Sequence, residues 1–163
     1  MTDRFDSETV RRYLTSSGVS VTVFDEVDST NRIALELAEG GAPEGTAIVA
    51  ASQTAGRGRL GRSFYSPTGS GIYISVILRP AALPEKAVLL TPAAGVAVCR
   101  AIEGMTSEKA AVKWVNDIYY RHKKIGGILT EAITSIETGL VTDVIIGVGL
   151  NLAIPTFPEE LQS

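Results

Sequence analysis

Residues suited to covalent or metal chemistry are scarce in this chain: its 163 residues include one cysteine, one histidine and one tryptophan. A single cysteine, Cys99, cannot close an internal disulfide, and its apolar helical setting beside Val96, Val98 and Ala101 predicts a buried packing thiol rather than a nucleophile. No cluster of Cys, His, Asp and Glu has metal-ligand spacing, so a metal held by protein groups alone is not expected. His122 stands in a polar turn and reads as a solvated side chain, and Ser29, His122 and Asp117 lack the spacing of a hydrolase triad. Trp114, apolar and near a strand, is expected in the core.

Long apolar runs are also missing, and none approaches the length of a bilayer span. The first residues, Met1-Thr2-Asp3-Arg4-Phe5-Asp6-Ser7-Glu8, carry acids where a secretory leader would carry an apolar segment. A cytoplasmic location without a membrane partner is the expectation. Neither sign of charge dominates: 15 Lys and Arg face 18 Asp and Glu, and a net charge of −3 argues against general affinity for nucleic acid. With 45% hydrophobic residues, the chain can build one core of ordinary size, and residues 1–163 read as a single domain.

Against this background the stretch Gln53 to Ser66 stands out. Glycines at 56, 58 and 61 alternate with arginines at 57, 59 and 62. Glycine lets backbone amides approach a ligand, and each guanidinium offers a planar fork of donors that matches carboxylate or phosphate. Three cations so close repel one another unless an anion joins them, so the loop predicts a small anionic ligand. It is neither a P-loop nor a dinucleotide fingerprint, because no Gly-Lys-Ser/Thr follows and the glycine spacing differs.

The remaining chain reads as α+β. A helix is predicted over residues 6–17, with Asp6 or Ser7 as cap and Val10, Tyr13 and Leu14 on one face. A half-buried strand follows over 19–24. Asp28-Ser29-Thr30-Asn31 opens a second helix with Ile33, Ala34, Leu37 and Ala38 on one face, in which Ser29 or Thr30 serves either as cap or as a site residue. Strands are expected over 46–51 and 72–78. A long, largely buried helix is expected over 84–103, with Pro92 kinking or dividing it. From Ala111 onward the pattern is antiparallel hairpins, with strands over 111–114, 118–120, 125–134 and 141–149. The last two are expected at an edge, where pairing with a second copy could form a homodimer. After Asn151 come Pro155, Pro158 and a stub, Glu159-Glu160-Leu161-Gln162-Ser163, resembling the first turn of a helix.

Three further islands place polar residues or glycine where a sheet prefers apolar ones. Lys113-Trp114-Val115-Asn116-Asp117 either makes a turn or meets a nucleotide's phosphates and magnesium. Lys123-Lys124-Ile125-Gly126-Gly127 puts a glycine pair in a strand, the mark of a bulge or of close approach to a ligand, with Lys124 the better site candidate of the two lysines. Gly147-Val148-Gly149-Leu150-Asn151 ends a strand in glycines and an amide, where tight packing is the other reading.

Taken in order, these islands resemble the catalytic domain of the biotin protein ligases, whose fold is a mixed, mostly antiparallel sheet backed by helices, like that of the class II synthetases. Gly56-Arg57-Gly58-Arg59-Leu60-Gly61-Arg62 is similar to that family's biotinyl-adenylate loop, and Asp28 to Asn31, Lys113 to Asp117, Lys124 to Glu131 and Gly147 to Asn151 resemble its other blocks. The resemblance implies that Ser29, Thr30, Asn31, Gln53, Gly56, Arg57, Gly58, Arg59, Lys124 and Gly127 hold biotin. It implies that Arg59, Arg62, Phe64, Lys113, Asn116, Asp117, Lys124 and Asn151 meet ATP, with Asp117 near Mg2+. Lys124, Arg57 and Arg59 would be the catalytic groups.

The activity implied is adenylation of biotin to biotinyl-5'-AMP and transfer to a lysine of a biotin carboxyl carrier protein. The alternatives are a lipoate or octanoate ligase of the same fold, and a non-catalytic biotin or nucleotide sensor. Val115 stands where the family usually has proline, and Phe64 where it usually has tryptophan. The family's small C-terminal domain and its repressors' N-terminal helix-turn-helix have no counterpart in the chain as given, so no operator binding is expected.

Overall fold

The computed structural model describes residues 5–153, so the stub at Glu159 to Ser163 lies outside the described residues. Its elements are α1 (Ser7–Arg12), β1 (Ser20–Phe24), α2 (Thr30–Glu39), β2 (Thr46–Ala50), β3 (Gly71–Leu78), α3 (Pro84–Ala87), α4 (Leu90–Met105), β4 (Ala111–Lys113), β5 (Asp117–Tyr120), β6 (Lys123–Thr134) and β7 (Val141–Asn151). The strands form one sheet in the order β1-β2-β3-β7-β6-β5-β4. Only β1 and β2 pair in parallel, so the sheet is mixed and mostly antiparallel, as expected.

The strand alternation sorts side chains to two faces. On one face α2 covers Ile48, Ile77 and Ile145, each at most 1% exposed, through Ala34 and Ala38. On the other, Val10 and Leu14 pack on Val21, Ala47 and Val49, while Leu90, Ala94 and Val98 of α4 pack on Ile128, Val144 and Ile146. Burying one such isoleucine contributes about 2 to 3 kcal/mol. Alternation also has a cost on the α2 face: Ser75 sits between Tyr73 and Ile77 in β3 and is wholly buried with them.

Several sequence expectations are corrected. The first helix stops at Arg12, well short of residue 17, with Asp6 Oδ1 accepting from Thr9 N–H at 2.9 Å. Val10 and Leu14 reach the sheet, whereas Tyr13 faces solvent at 74% exposure, so the apolar stripe is too narrow to hold more turns. Leu37 likewise lies on the exposed side of α2. Trp114 is exposed, not in the core.

The long helix divides between Ala87 and Leu90, just ahead of Pro92, which then falls in the first turn of α4, where a backbone N–H would have no intrahelical partner. It is not largely buried: within α4 only Gly95 and Cys99 are, while Val96 and Met105 face outward. By length and composition alone, Pro84–Met105 taken together is long and apolar enough to cross a membrane, against the expectation that no run approaches that length. The Cys99 thiol is buried as expected, and burial pushes its pKa up.

Of the two strands expected at an edge, β7 is paired along both sides. β5 covers β6 from Lys123 to Gly127, beyond which the ladder of β6 continues to β7 alone. The outer strands of the sheet are β1 and β4.

Arg79, just after β3, ties α2 to the sheet. Its Nη2 donates to the carbonyls of Ala38 (3.1 Å) and Ala42 (2.9 Å) and lies 3.2 Å from Asp143 Oδ1 in β7. No hydrogen bond reaches that carboxylate oxygen, so the guanidinium is its neutralising contact. Arg79→Ala is expected to cost about 2 to 3 kcal/mol, seen as a lower urea midpoint, because it strands a buried charge; an unchanged midpoint would count against this latch.

Candidate active site

The site forms where α2 starts. Asp28 accepts from Ser29 N–H at 2.6 Å and pairs with Arg32 one turn on, and Arg32 holds the Asp28 carboxyl below its usual range. Ser29 occupies the cap position without a capping bond; its hydroxyl makes no hydrogen bond among the described residues, and the side chain lines the cavity. The first-turn N–H of Thr30 donates instead to Gln53 Oε1 at 2.9 Å, which leaves the Ser29 hydroxyl to the site.

The arginine segment is a small hairpin. Gln53 N donates to Ser66 O (3.0 Å), Phe64 N to Gly56 O (2.8 Å) and Gly58 N to Arg62 O (2.7 Å). A single 3-10 turn at Arg59–Gly61 forms the tip, where Leu60 is 90% exposed with φ of 57°. Gly56 has to be glycine: a Cβ there would lie 2.4 Å from Phe64 O and 2.7 Å from Ser66 Oγ. Gly56 thus serves the hairpin's neck and does not line the cavity.

Between this hairpin and the α2 face of the sheet lies a cavity of about 240 Å³. It brings together Ser29, Thr30, Asn31 and Gln53 at one end, Arg57, Gly58, Arg59, Arg62 and Phe64 from the hairpin, Asn116 from the turn before β5, and Asp117, Lys124 and Gly127 from β5 and β6. Each cation of the cavity lining, apart from Arg62, already has an acceptor on or just beside the sheet. Arg57 pairs with Glu131, Arg59 Nη1 donates to Asn116 Oδ1 at 3.1 Å, and Lys124 Nζ lies 2.8 Å from Asp117 Oδ1. Arg62 makes no ion pair among the described residues. The Asn116 amide is fixed because its Nδ2 donates to Ile128 O at 3.1 Å, which turns Oδ1 toward Arg59.

Both glycines of β7 make room for site side chains. A Cβ on Gly147 would meet Asn31 Oδ1 at 2.0 Å, and one on Gly149 would meet the Phe64 ring at 2.5 Å. Phe64 is held edge-on against Tyr73, with ring centroids 6.4 Å apart. Gly127 differs: its nearest neighbours would be at 3.7 Å or more, so its missing side chain leaves the cavity open.

Besides Gly56, two residues expected at the site lie outside the cavity. Lys113 turns away, with Nζ 5.2 Å over the Tyr119 ring. Asn151 accepts from Tyr73 OH (3.1 Å) and donates to Tyr65 O (3.1 Å), so it anchors the hairpin's returning leg. Burial raises the Tyr73 pKa, keeping the phenol a donor. Asn31 lines the cavity, but its amide is spent within the protein: Oδ1 on Ser75 and Nδ2 on Glu131 and Leu129 O.

Ser75 and Glu131 were not singled out from the sequence. The signal was parity: Ser75 shares the inward register of Tyr73 and Ile77, and Glu131 that of Gly127 and Leu129.

The chain carries a cation-lined cavity under a glycine-arginine hairpin, on a mixed sheet, an arrangement suited to a small anionic ligand. It belongs to the Biotin/lipoate A/B protein ligase family, whose model its residues 23–151 match. Within that family it is similar to proteins named as ligases. The bifunctional ligase/repressor BirA of Bacillus spizizenii is 46% identical over 140 residues, 85% of this chain and 42% of that protein. The biotin--[acetyl-CoA-carboxylase] ligase of Mycobacterium tuberculosis is 34% identical over 176 residues, 99% of this chain and 63% of that protein. Among solved structures, the biotin protein ligase from Aquifex aeolicus in complex with biotin and ATP superposes with a TM-score of 0.70 at 36% identity, over 88% of this chain and 56% of that one. The chain thus spans about half the length of the curated relatives it matches.

Proposed function

We propose that this chain forms the site at which biotin is adenylated by ATP and passed on to a lysine of a biotin carboxyl carrier protein. The observation that carries the reading is the meeting of Arg57, Arg59 and Lys124, from two distant stretches of sequence, around one cavity that also holds Ser29, Thr30 and Gln53. Joining a carboxylate to an α-phosphate brings two anions together, so the main demand is electrostatic: neutralise both, align them, and stabilise the charge that grows on phosphorus. The substrate's own carboxylate attacks, pyrophosphate leaves, and no side-chain nucleophile is needed.

On this reading Ser29 and the Gln53 end take the uncharged ring system. Arg57 and Arg59 meet the carboxylate and α-phosphate, Lys124 reaches both, and Arg62 at the hairpin's far side meets the remaining phosphates. Phe64 offers an aromatic plane for the adenine. A divalent cation would come with the triphosphate: among the described residues no three His, Cys, Asp or Glu side chains are grouped to hold one, and Asp117 is the only carboxylate of the cavity lining. That donor set fits Mg2+ held mainly by phosphate oxygens, and the ion would offset triphosphate charge.

Pyrophosphate release from ATP with biotin, lipoate or octanoate offered separately tests the reading. Release with biotin alone is expected; release with lipoate or octanoate instead would make it a ligase for those acids, and none with any acid would leave a sensor. Because an acyl-adenylate is open to hydrolysis, the hairpin should close over it. Fast amide exchange over residues 56–64 is expected in the free protein, slowing with biotin and ATP, whereas equal protection in both states would speak against closure. The part of β6 beyond β5 suits pairing with a second copy. A homodimer is therefore the assembly reading, to be checked by sedimentation.

A further inference from the structure

The polar groups beneath the hairpin form one continuous chain of contacts, and its far end is a carboxylate that the adenylation chemistry leaves without a task. From the hairpin's returning leg, Ser66 Oγ donates to Phe64 O and accepts from Gln53 Nε2, both at 3.0 Å. Gln53 Oε1 accepts from Thr30 N–H (2.9 Å) and Thr30 Oγ1 (3.1 Å). The buried Ser75 hydroxyl bridges Thr30 Oγ1 at 2.8 Å and Asn31 Oδ1 at 2.5 Å. Asn31 Nδ2 then donates to Glu131 Oε2 at 2.8 Å, and Glu131 Oε1 accepts from Arg57, back in the hairpin.

Each oxygen of Glu131 thus faces a donor-only group, and the amide of Asn31 has one permitted orientation. Asn31 itself is fixed by its burial at 4% exposure and by the room that Gly147 leaves for it. Arg57, by contrast, sits on a hairpin and its side chain is 46% exposed. Its ion pair to β6 is therefore the contact that ties a loop-borne guanidinium to the rigid sheet. Glu131 engages Nη2 alone, so the other N–H donors of the fork remain for a ligand.

We propose that Glu131 is a positioning residue, which, with Asn31 behind it, orients Arg57 toward the carboxylate of the acid substrate. The proposal rests on the biotin-adenylating reading and adds to it a residue that never touches the substrate. It also explains how a carboxylate is tolerated beside an anion site: Arg57 and Asn31 compensate it from both sides.

The test is calorimetric binding of biotin, and of the analogue whose carboxylate is replaced by a primary alcohol, to the wild type, Glu131→Gln, Arg57→Ala and the double variant. Glu131→Gln is expected to weaken biotin about tenfold, the worth of one charge-assisted hydrogen bond, while leaving the alcohol within about twofold. In the Arg57→Ala background the same substitution should bring no further loss of biotin affinity. Equal weakening of both ligands, or an undiminished effect without Arg57, would overturn the proposal. Should Glu131→Gln fail to fold, Glu131→Asp keeps the charge but withdraws it by one methylene. It should show the same preference for the alcohol at smaller amplitude, and an unselective loss would count equally against the idea. Wild-type protein that binds the alcohol and biotin equally well removes the role of Arg57 on which Glu131 depends, whereas wild type that binds neither ligand defeats the biotin reading itself.

Discussion

Lys124→Ala is expected to slow formation of the acyl-adenylate by about 30- to 1,000-fold, equivalent to about 2 to 4 kcal/mol of transition-state stabilisation. The ammonium sits at the start of β6, 2.8 Å from Asp117 Oδ1, and shares the cavity with Arg57 and Arg59. Asp117 keeps it oriented toward the cavity before substrate arrives. Once the two anions are bound, charge builds on the oxygens between them, and that is where a compact, fully charged donor gains most. Biotin binding alone should change far less than the rate, because the phosphoryl charge is absent from that equilibrium. Single-turnover pyrophosphate release checks the prediction. Arg59→Ala should behave similarly, while Lys123→Ala, next in sequence but exposed at the first position of β6, should stay near wild type. Near-normal rates for both Lys124→Ala and Arg59→Ala would remove the assigned roles.

A second large effect is expected from one methyl group. Gly147→Ala would place its Cβ 2.0 Å from Asn31 Oδ1 and 2.8 Å from its Cγ, with no flexible chain end to yield, since that amide is held by Ser75, Glu131 and Leu129 O. Asn31 would have to leave, stranding the wholly buried Ser75 and releasing Glu131. Overpacking together with an unsatisfied buried polar group should cost about 2 to 4 kcal/mol in stability. Acid-substrate affinity should fall as well, through Arg57. Gly127→Ala is the informative contrast. Its Cβ would meet nothing closer than 3.7 Å, so the fold should be kept within about 0.5 kcal/mol while the cavity is narrowed. Urea midpoints and biotin binding measured on both variants separate these outcomes. A Gly147→Ala protein as stable as wild type would mean that Asn31 is not held as described.

Much of the sheet could be read from the chain because its signal is local. Alternating β-branched residues in β3 and β7, polar turns between hairpins, and Asp28 before an apolar helical run all act within a few residues of themselves. The errors arose where distant partners decide. Tyr13 and Trp114 are apolar by type, yet nothing packs over them, and α4 is apolar on most faces while the sheet covers only one. Edge or interior position in a sheet is likewise set by strand order, which hairpin patterns do not encode. Hence β7 is flanked by β3 and β6, contrary to expectation.

The sequence by itself determined the chemistry on offer: guanidiniums spaced by glycines, a lysine before a glycine pair, and hardly any cysteine or histidine to suggest another route. Those are properties of residue type and near-neighbour spacing, and no folding is needed to state them. Tertiary structure decided what each group does. It turned Lys113 onto Tyr119, gave Asn151 to the hairpin's support, and freed Ser29 from capping. It also joined Glu131 to Arg57 across 74 positions of chain. Such contacts depend on which strands lie side by side and which face each side chain takes, and these are settled only when the whole sheet closes over its core.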